Sequence, residues 1–263
     1  MRATVVDDCL EELHSAAADL DHITVSEVLM GTGYTGVRLS SGHIGLAYSL
    51  LGEYRASTSR MSDKAGHLTE STTLELARMS SSWDMRARVL GIATLNALSQ
   101  LSLNKYSTEM STFEGDIVDI IKADGKVVTV VGNMRPTIKK LKEKAKQVFV
   151  LERSADLRDE TTLPDTAAEQ VIPQSNIVLI TGTAIENGTV DRLLDLSQNA
   201  EEVAVVGATA GLLPTVLFKH GATAVGAIRV IDGDKVMQII AEGGGTPSLL
   251  QAIRFAVYKP RGA

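Results

Sequence analysis

Three stretches of this sequence combine glycine with hydroxyl and amide side chains directly after an apolar, β-branched run. They are Gly132-Asn133-Met134-Arg135-Pro136, Thr181-Gly182-Thr183-Ala184-Ile185-Glu186-Asn187-Gly188-Thr189, and Gly207-Ala208-Thr209-Ala210-Gly211-Leu212-Leu213-Pro214. Each reads as a strand end turning into a helix. Glycine lets a ligand approach the main chain, and a helix N-terminus behind it suits a phosphate or carboxylate. One such loop says little, because tight β-to-α turns need Gly, Asn and Thr for capping anyway. Three of them at one edge of a parallel sheet point to a ligand crevice, since parallel strands gather their C-terminal ends there. The candidate binding residues on this wall are Gly132, Asn133, Thr183, Asn187, Thr189 and Thr209.

Glu152 adds to this wall. It ends the next apolar run, 20 residues after Gly132, where dinucleotide- and adenosyl-binding folds place an acid to hold ribose hydroxyls. The turn after Gly132 lacks G-x-G-x-x-G, so a capping or surface role for Glu152 stays open. A literal G-x-G-x-x-G does occur at Gly31-Thr32-Gly33-Tyr34-Thr35-Gly36. The phosphate mechanism needs a helix to start at its third glycine. Here Val37, Leu39, Ile44 and Leu46 continue in strand alternation, so the motif reads as a β turn. Tyr34 and Thr35 remain candidates to face a cleft, and so does Asn96, the polar residue standing out in an otherwise apolar helix.

Metal chemistry finds little support in spacing. His14, His22, His43, His67 and His220 form no H-x-H or H-x-x-x-H pair, and Cys9 is the only cysteine. No nucleophile elbow, P-loop or kinase signature is present. The 263 residues carry 26 Lys and Arg against 32 Asp and Glu, a net charge of -6, which argues against nucleic acid as the main partner. The lysine run Lys139, Lys140, Lys142, Lys144 and Lys146 fits a solvated helix face. Apolar runs are too short to span a bilayer. The expectation is a soluble, cytoplasmic protein with a small-molecule ligand, no nucleic acid and no membrane, and a homodimer as its candidate assembly.

The elements that would hold these residues fall into two lobes, 1–110 and 111–263. In the first, Val6, Cys9, Leu10, Leu13, Ala16, Ala17 and Leu20 mark an amphipathic helix that puts Cys9 on the core side. Short strands at Thr24–Met30, Gly36–Ser40 and Gly45–Ser49 follow, then a polar connection or lid at Ser57–Ser82 with a short helix at Thr72–Met79. A helix at Met85–Leu103 is apolar almost all round and therefore buried on most sides. In the second lobe, Phe113–Ala123 reads as a helix closed by Gly125. Strands at Val127–Val131, Val148–Leu151, Ile177–Thr181, Val203–Val206 and Ala224–Ile228 alternate with helices. The helices are Pro136–Ala145, Thr166–Ile172 (with Thr166 and Glu169 spaced as a capping box), Thr189–Ser197, Pro214–His220, Gly233–Ala241 and Pro247–Tyr258. The fold class is α/β: a small α+β lobe, then a Rossmann-like, mostly parallel sheet with helices on both faces.

Several stretches resemble a known family. Val127-Val-Thr-Val-Val-Gly132, Val148-Phe-Val-Leu-Glu152, Ile180-Thr-Gly-Thr-Ala-Ile-Glu-Asn-Gly-Thr189, Leu217-Phe-Lys-His-Gly221 and Ala241-Glu-Gly-Gly-Gly245 are similar to the DUF364 family. Gly33-Tyr-Thr-Gly-Val37 and Gly91-Ile-Ala-Thr-Leu-Asn-Ala97 resemble the DUF4213 domain that precedes it. The family label concerns heavy-metal chelation. The resemblance implies an enolase-N-terminal-like lobe before the Rossmann-like domain, with a site between them. Glu152, Thr183, Asn187, Thr189 and Gly243 to Gly245 match the family pattern. One departure is the turn Gly207-Ala-Thr-Ala-Gly-Leu-Leu-Pro214, where the family has a G-P-S-T-P-L type turn, so the substrate of this member is open. Two functions are carried forward. One is binding of an anionic small molecule or metal complex between the lobes. The other is a transferase or hydrolase using an S-adenosylmethionine-like or nucleotide cofactor on a pterin-like or other chelator precursor.

Overall fold

Among the described residues, the first fifty positions hold one helix and a small meander divided by polar, glycine-rich turns, and a long apolar helix then covers it. The computed structural model describes residues 3–15, 22–53 and 64–262. Helix α1 (Val5–Ser15) buries Val5, Val6, Cys9 and Leu13 on one face; Ala16, Ala17 and Leu20 lie outside the described residues. Strands β1 (Val25–Met30), β2 (Tyr34–Leu39) and β3 (Ile44–Tyr48) form an antiparallel sheet in that order. Gly31-Thr32-Gly33 is the β1–β2 turn, closed by the Gly31 amide donating to Tyr34 O at 2.9 Å. No helix begins there.

Of the proposed lid, residues 57–63 lie outside the described residues. Beyond them α2 (Thr73–Arg78) starts at a capping box in which Thr72 and Glu75 satisfy each other's main-chain N–H. Helix α3 (Met85–Ser102) starts at Asp84, whose carboxylate accepts from the Arg86 and Ala87 amides. It is buried without interruption from Val89 to Ser99, as its all-round apolar pattern requires.

The second sheet has eight strands: β4 (Met110–Glu114), β5 (Val127–Val131), β6 (Gln147–Glu152), β7 (Thr162–Pro164), β8 (Ile177–Thr181), β9 (Glu202–Val206), β10 (Ala224–Val230) and β11 (Ile253–Pro260). Their order is β4-β11-β10-β9-β8-β5-β6-β7. The run from β10 to β7 is parallel, while β11 and β4 join antiparallel. The helices are α4 (Ile117–Ile120), α5 (Arg135–Lys142), α6 (Ala168–Val171), α7 (Thr183–Glu186), α8 (Val190–Leu196), α9 (Pro214–Lys219), α10 (Gly233–Ala241) and α11 (Thr246–Leu249). Alternate strand residues point to opposite faces. Val128, Val130, Ile177 and Leu179 pack against Ile117, Ile138 and Leu141 of α4 and α5. On the other face Val178, Ile180, Val203 and Val205 pack in the cluster holding α6, α8 and α9, which continues into α1 and α3. One hydrophobic core thus runs through both lobes. Among the described residues no helix is long and apolar enough to cross a membrane.

Three expected helices differ. Phe113 belongs to strand β4, because Gly115 at φ +120° breaks the chain and Asp116 caps a new, single-turn helix. Thr166–Ile172 is not capped by Thr166; a 3-10 turn at Asp165–Ala167 precedes α6, and Glu169 pairs with Arg192 instead. Pro247–Tyr258 is helical only through Leu249, after which Ile253–Pro260 is a strand between β10 and β4. An apolar run of this length fits either period, and pairing on both sides decided for the strand.

Candidate functional site

The order β7-β6-β5-β8-β9-β10 is the 3-2-1-4-5-6 arrangement of dinucleotide-binding folds. From β5 the chain moves outward to β6 and β7, then returns to β8 on the other flank. The C-terminal ends of β5 and β8 therefore border the topological switch point, where open α/β sheets leave a crevice. All three glycine-rich turns lie at this edge.

The β5 and β6 ends form one corner. Gly132 sits at φ +97°, and a Cβ there would lie 2.8 Å from Thr181 Cγ2, so only glycine fits between the β5 and β8 ends. Glu152 Oε2 accepts from the Asn133 amide at 2.9 Å and Oε1 from the Ser154 amide at 2.8 Å. Asn133 Nδ2 donates to Leu157 O at 2.7 Å. Helix α5 begins two residues beyond Asn133, as the sequence implies. Behind the other two turns the helices are shorter: α7 is one turn, and a 3-10 turn at Ala208–Ala210 precedes α9.

At the β8 end the hydroxyls of Thr181 and Thr183 are 3.1 Å apart. Asn187 Oδ1 accepts from the Thr189 amide at 3.2 Å and from its hydroxyl at 2.7 Å, shaping the entry into α8. Gly182 lies against the β9 turn; a Cβ there would sit 2.6 Å from the Ala210 amide. The three turns are thus in van der Waals contact, from Gly132 through Thr181 and Gly182 to Thr209.

The first lobe seats on the β9 turn. Asn96 Nδ2 donates to Leu46 O of β3 at 2.7 Å and to Thr209 O at 3.1 Å, so one amide joins the two lobes. Thr209 Oγ1 accepts from the Tyr48 amide at 3.1 Å and lies 3.5 Å from Glu186 Oε1. The Tyr34 and Thr246 hydroxyls share a 2.7 Å hydrogen bond, and burial pushes the Tyr34 phenol up. Thr35 Oγ1 is 3.4 Å from Ser49 Oγ. Gly33 meets Gly244 main chain to main chain, so Gly243 to Gly245 act as packing surface. A second contact ties α1 down: His220 Nε2 is 2.6 Å from Asp8, its Nδ1 is 3.6 Å from Asp191, and Asp191 accepts from the Val5 amide at 2.8 Å.

The candidate residues therefore divide. Gly132, Asn133, Glu152, Thr183, Asn187 and Thr189 are half-buried along the edge. Tyr34, Thr35, Asn96 and Thr209 are buried in the seam and engaged with protein partners. Reasoning from the sequence missed Glu186 and Arg88. Glu186 is completely buried beneath the β8 turn, and Arg88 Nη2 reaches from α3 to Ile185 O at 3.2 Å. Burial draws the Arg88 guanidinium down, opposed by Asp191, Asp7 and Glu186. For Glu186 the available signal was a lone carboxylate directly after the apolar pair Ala184-Ile185. Among the described residues no three His, Cys, Asp or Glu side chains gather to hold a metal ion.

Fold and turns together define a Rossmann-like domain whose glycine-rich strand ends border a small α+β lobe. The DUF364 family model, described as "Putative heavy-metal chelation", matches residues 116–259, and DUF4213, with the same description, matches residues 11–99. The chain belongs to the DUF364 family. An uncharacterised protein of Methanocaldococcus jannaschii is 33% identical over 195 residues, 74% of this chain and 73% of that protein. A DUF364 protein of unknown function from Pyrococcus horikoshii has a crystal structure with TM-score 0.83 and 25% identity, covering 97% of this chain and 99% of that one. The DUF364 structure from Desulfitobacterium hafniense has TM-score 0.74 and 23% identity, covering 96% and 98%, and supports the fold.

Proposed function

We propose that the strand-end crevice at the β5–β8 switch point binds an anionic small molecule or a metal complex. The observation that carries this reading is the contact of the three glycine-rich turns along one edge, with half-exposed hydroxyl, amide and main-chain groups on it. In this reading Gly132, Asn133 and Thr183 face the ligand, and Glu152 holds the loop behind them. Asn187 and Thr189 shape the β8 turn, and Tyr34, Thr35, Asn96 and Thr209 hold the lobes in register. Thr hydroxyls and the Asn133 side-chain amide donate to carboxylate or phosphate oxygens, and Glu152, by accepting the Asn133 main-chain N–H, orders the loop that presents them. A thermal-shift screen of organic anions and their metal complexes tests it. A ligand that stabilises the native chain should lose most of its effect with Thr183→Val and with Glu152→Gln; an undiminished shift in both variants rejects the crevice.

The strand order favours a second reading, a nucleotide or S-adenosylmethionine-like cofactor serving a transferase or hydrolase. Glu152 stands at the end of the second strand of the 3-2-1-4-5-6 order, where a ribose diol would meet it. Each of its oxygens accepts one main-chain N–H and retains capacity for a hydroxyl. Stabilisation by S-adenosylmethionine, NAD or nucleotides supports this reading, and a flat response to all of them removes it.

A further inference from the structure

We infer that any heavy metal this chain handles reaches it inside an organic chelator, and that its own side chains do not hold the bare ion. The inference rests on the crevice reading above and names the ligand class for it. Soft and borderline ions are held by convergent thiolate and imidazole ligands. Every histidine and the single cysteine of the sequence lie within the described residues, so this donor set can be followed completely.

Cys9 is fully buried on the core face of α1, with Ser99 Oγ 3.9 Å from its sulfur. Burial pushes its thiol up to about 11, which leaves little of the thiolate that a soft ion requires. His220 turns its two ring nitrogens to two different carboxylates, Asp8 and Asp191. The nitrogen lone pairs of an imidazole diverge, so these three groups cannot share one ion. His67 pairs with Glu70 one turn away on the surface, and His43 Nδ1 lies 3.1 Å from Ser41 Oγ in the β2–β3 turn. His14 is exposed near the end of α1 and His22 is exposed ahead of β1. Among the described residues no third carboxylate, imidazole or thiol joins any of them.

The crevice offers a different kind of partner. Its polar groups are the hydroxyls of Thr181 and Thr183 and the side-chain amide of Asn133; the Asn133 main-chain N–H is taken by Glu152, which accepts a main-chain N–H on each oxygen. Hydroxyl and N–H donors suit the carboxylate, phosphate or amide oxygens of an organic ligand and are poor ligands for a bare soft cation.

The full chain, stripped of metal and dialysed to equilibrium against Zn²⁺, Ni²⁺, Cu²⁺ or Cd²⁺ in molar excess, tests this by elemental analysis. Retention far below one equivalent, unchanged by Cys9→Ser, is the expected result. One equivalent of any bare ion retained overturns the inference, whichever residues supply the ligands. In parallel, nickel citrate and metal-free citrate are scored by thermal shift on the native chain and on Thr183→Val. A shift with nickel citrate that falls severalfold in the variant supports delivery as a complex. A flat response to the whole anion panel rejects the crevice reading and leaves the donor argument standing, so the two failures are distinguishable.

Discussion

At the interlobe seam, Asn96, Thr209, Tyr34 and Thr35 are buried and each engages another group of the protein. At the β5–β6 corner, Gly132, Asn133 and Glu152 stay half-exposed, and their bonds run mostly to main chain of the same two loops. The residue types are alike, but the settings differ. A buried polar group whose partner is removed leaves an orphaned donor or acceptor without water, which costs more than the bond contributed. A half-exposed one finds water. Seam substitutions should therefore register first in stability, and corner substitutions first in binding.

The largest effect is expected directly behind the seam, inside the first lobe, at Gly45→Ala in β3. A Cβ at Gly45 would lie 2.0 Å from Ala93 O and 2.2 Å from the Ala97 amide, both main chain of α3. Neither neighbour can rotate away, so the helix must lift from the sheet. We expect a loss of about 3 kcal/mol or more in urea unfolding. A loss under about 1 kcal/mol would show that the β3–α3 packing that positions Asn96 for the seam yields, against the packing of main chain on main chain.

Next in size is Asn96→Ala. It removes both donors that hold Leu46 O and Thr209 O, and we expect about 2 kcal/mol of destabilisation. A value near zero would mean that the lobes keep their register without this amide. The contact also shows what the sequence could not display. Asn96 was visible as the odd residue in an apolar helix, but its acceptors lie 50 and 113 residues away in sequence. The three turns were legible as glycine-rich strand ends. Their mutual contact depends on β8 inserting next to β5, and no local pattern carries that order. Parallel strands of five β-branched residues, such as Val127–Val131, were legible because few other structures accept them. Ile253–Tyr258 was not, since a short, largely apolar run takes its period from whatever neighbours it finds.

Alkaline titration offers a pH-dependent test confined to the seam side. Cys9 is raised in the folded chain to about 11 from an ordinary 9.0, chiefly by burial. The folded state therefore holds its proton more tightly than the unfolded state. This contribution is fully present below about pH 9 and is lost as pH rises through 11, at up to about 1.4 kcal/mol per pH unit. Cys9→Ala should flatten the slope of stability against pH between these limits. An unchanged slope would place the alkaline sensitivity elsewhere, with Tyr106, raised to about 12, as the next group to test by Tyr106→Phe.

The smallest stability effect belongs to the corner, and it sharpens the comparison most. Glu152→Gln keeps an acceptor for one of the two main-chain N–H groups and turns an NH₂ toward the other. Water reaches the half-exposed corner, so we expect a loss of only about 0.5–1 kcal/mol in unfolding. The same substitution loosens the loop that carries Asn133 at the switch point, so the affinity for any ligand found by thermal shift should fall by about tenfold. Asn96→Ala should show the reverse proportions, with stability falling more than affinity. If Glu152→Gln instead cost as much stability as Asn96→Ala while binding stayed intact, the corner would be scaffold like the seam. The ligand-facing surface would then have to lie on the β8 turn, where Thr181 and Thr183 present their hydroxyls side by side.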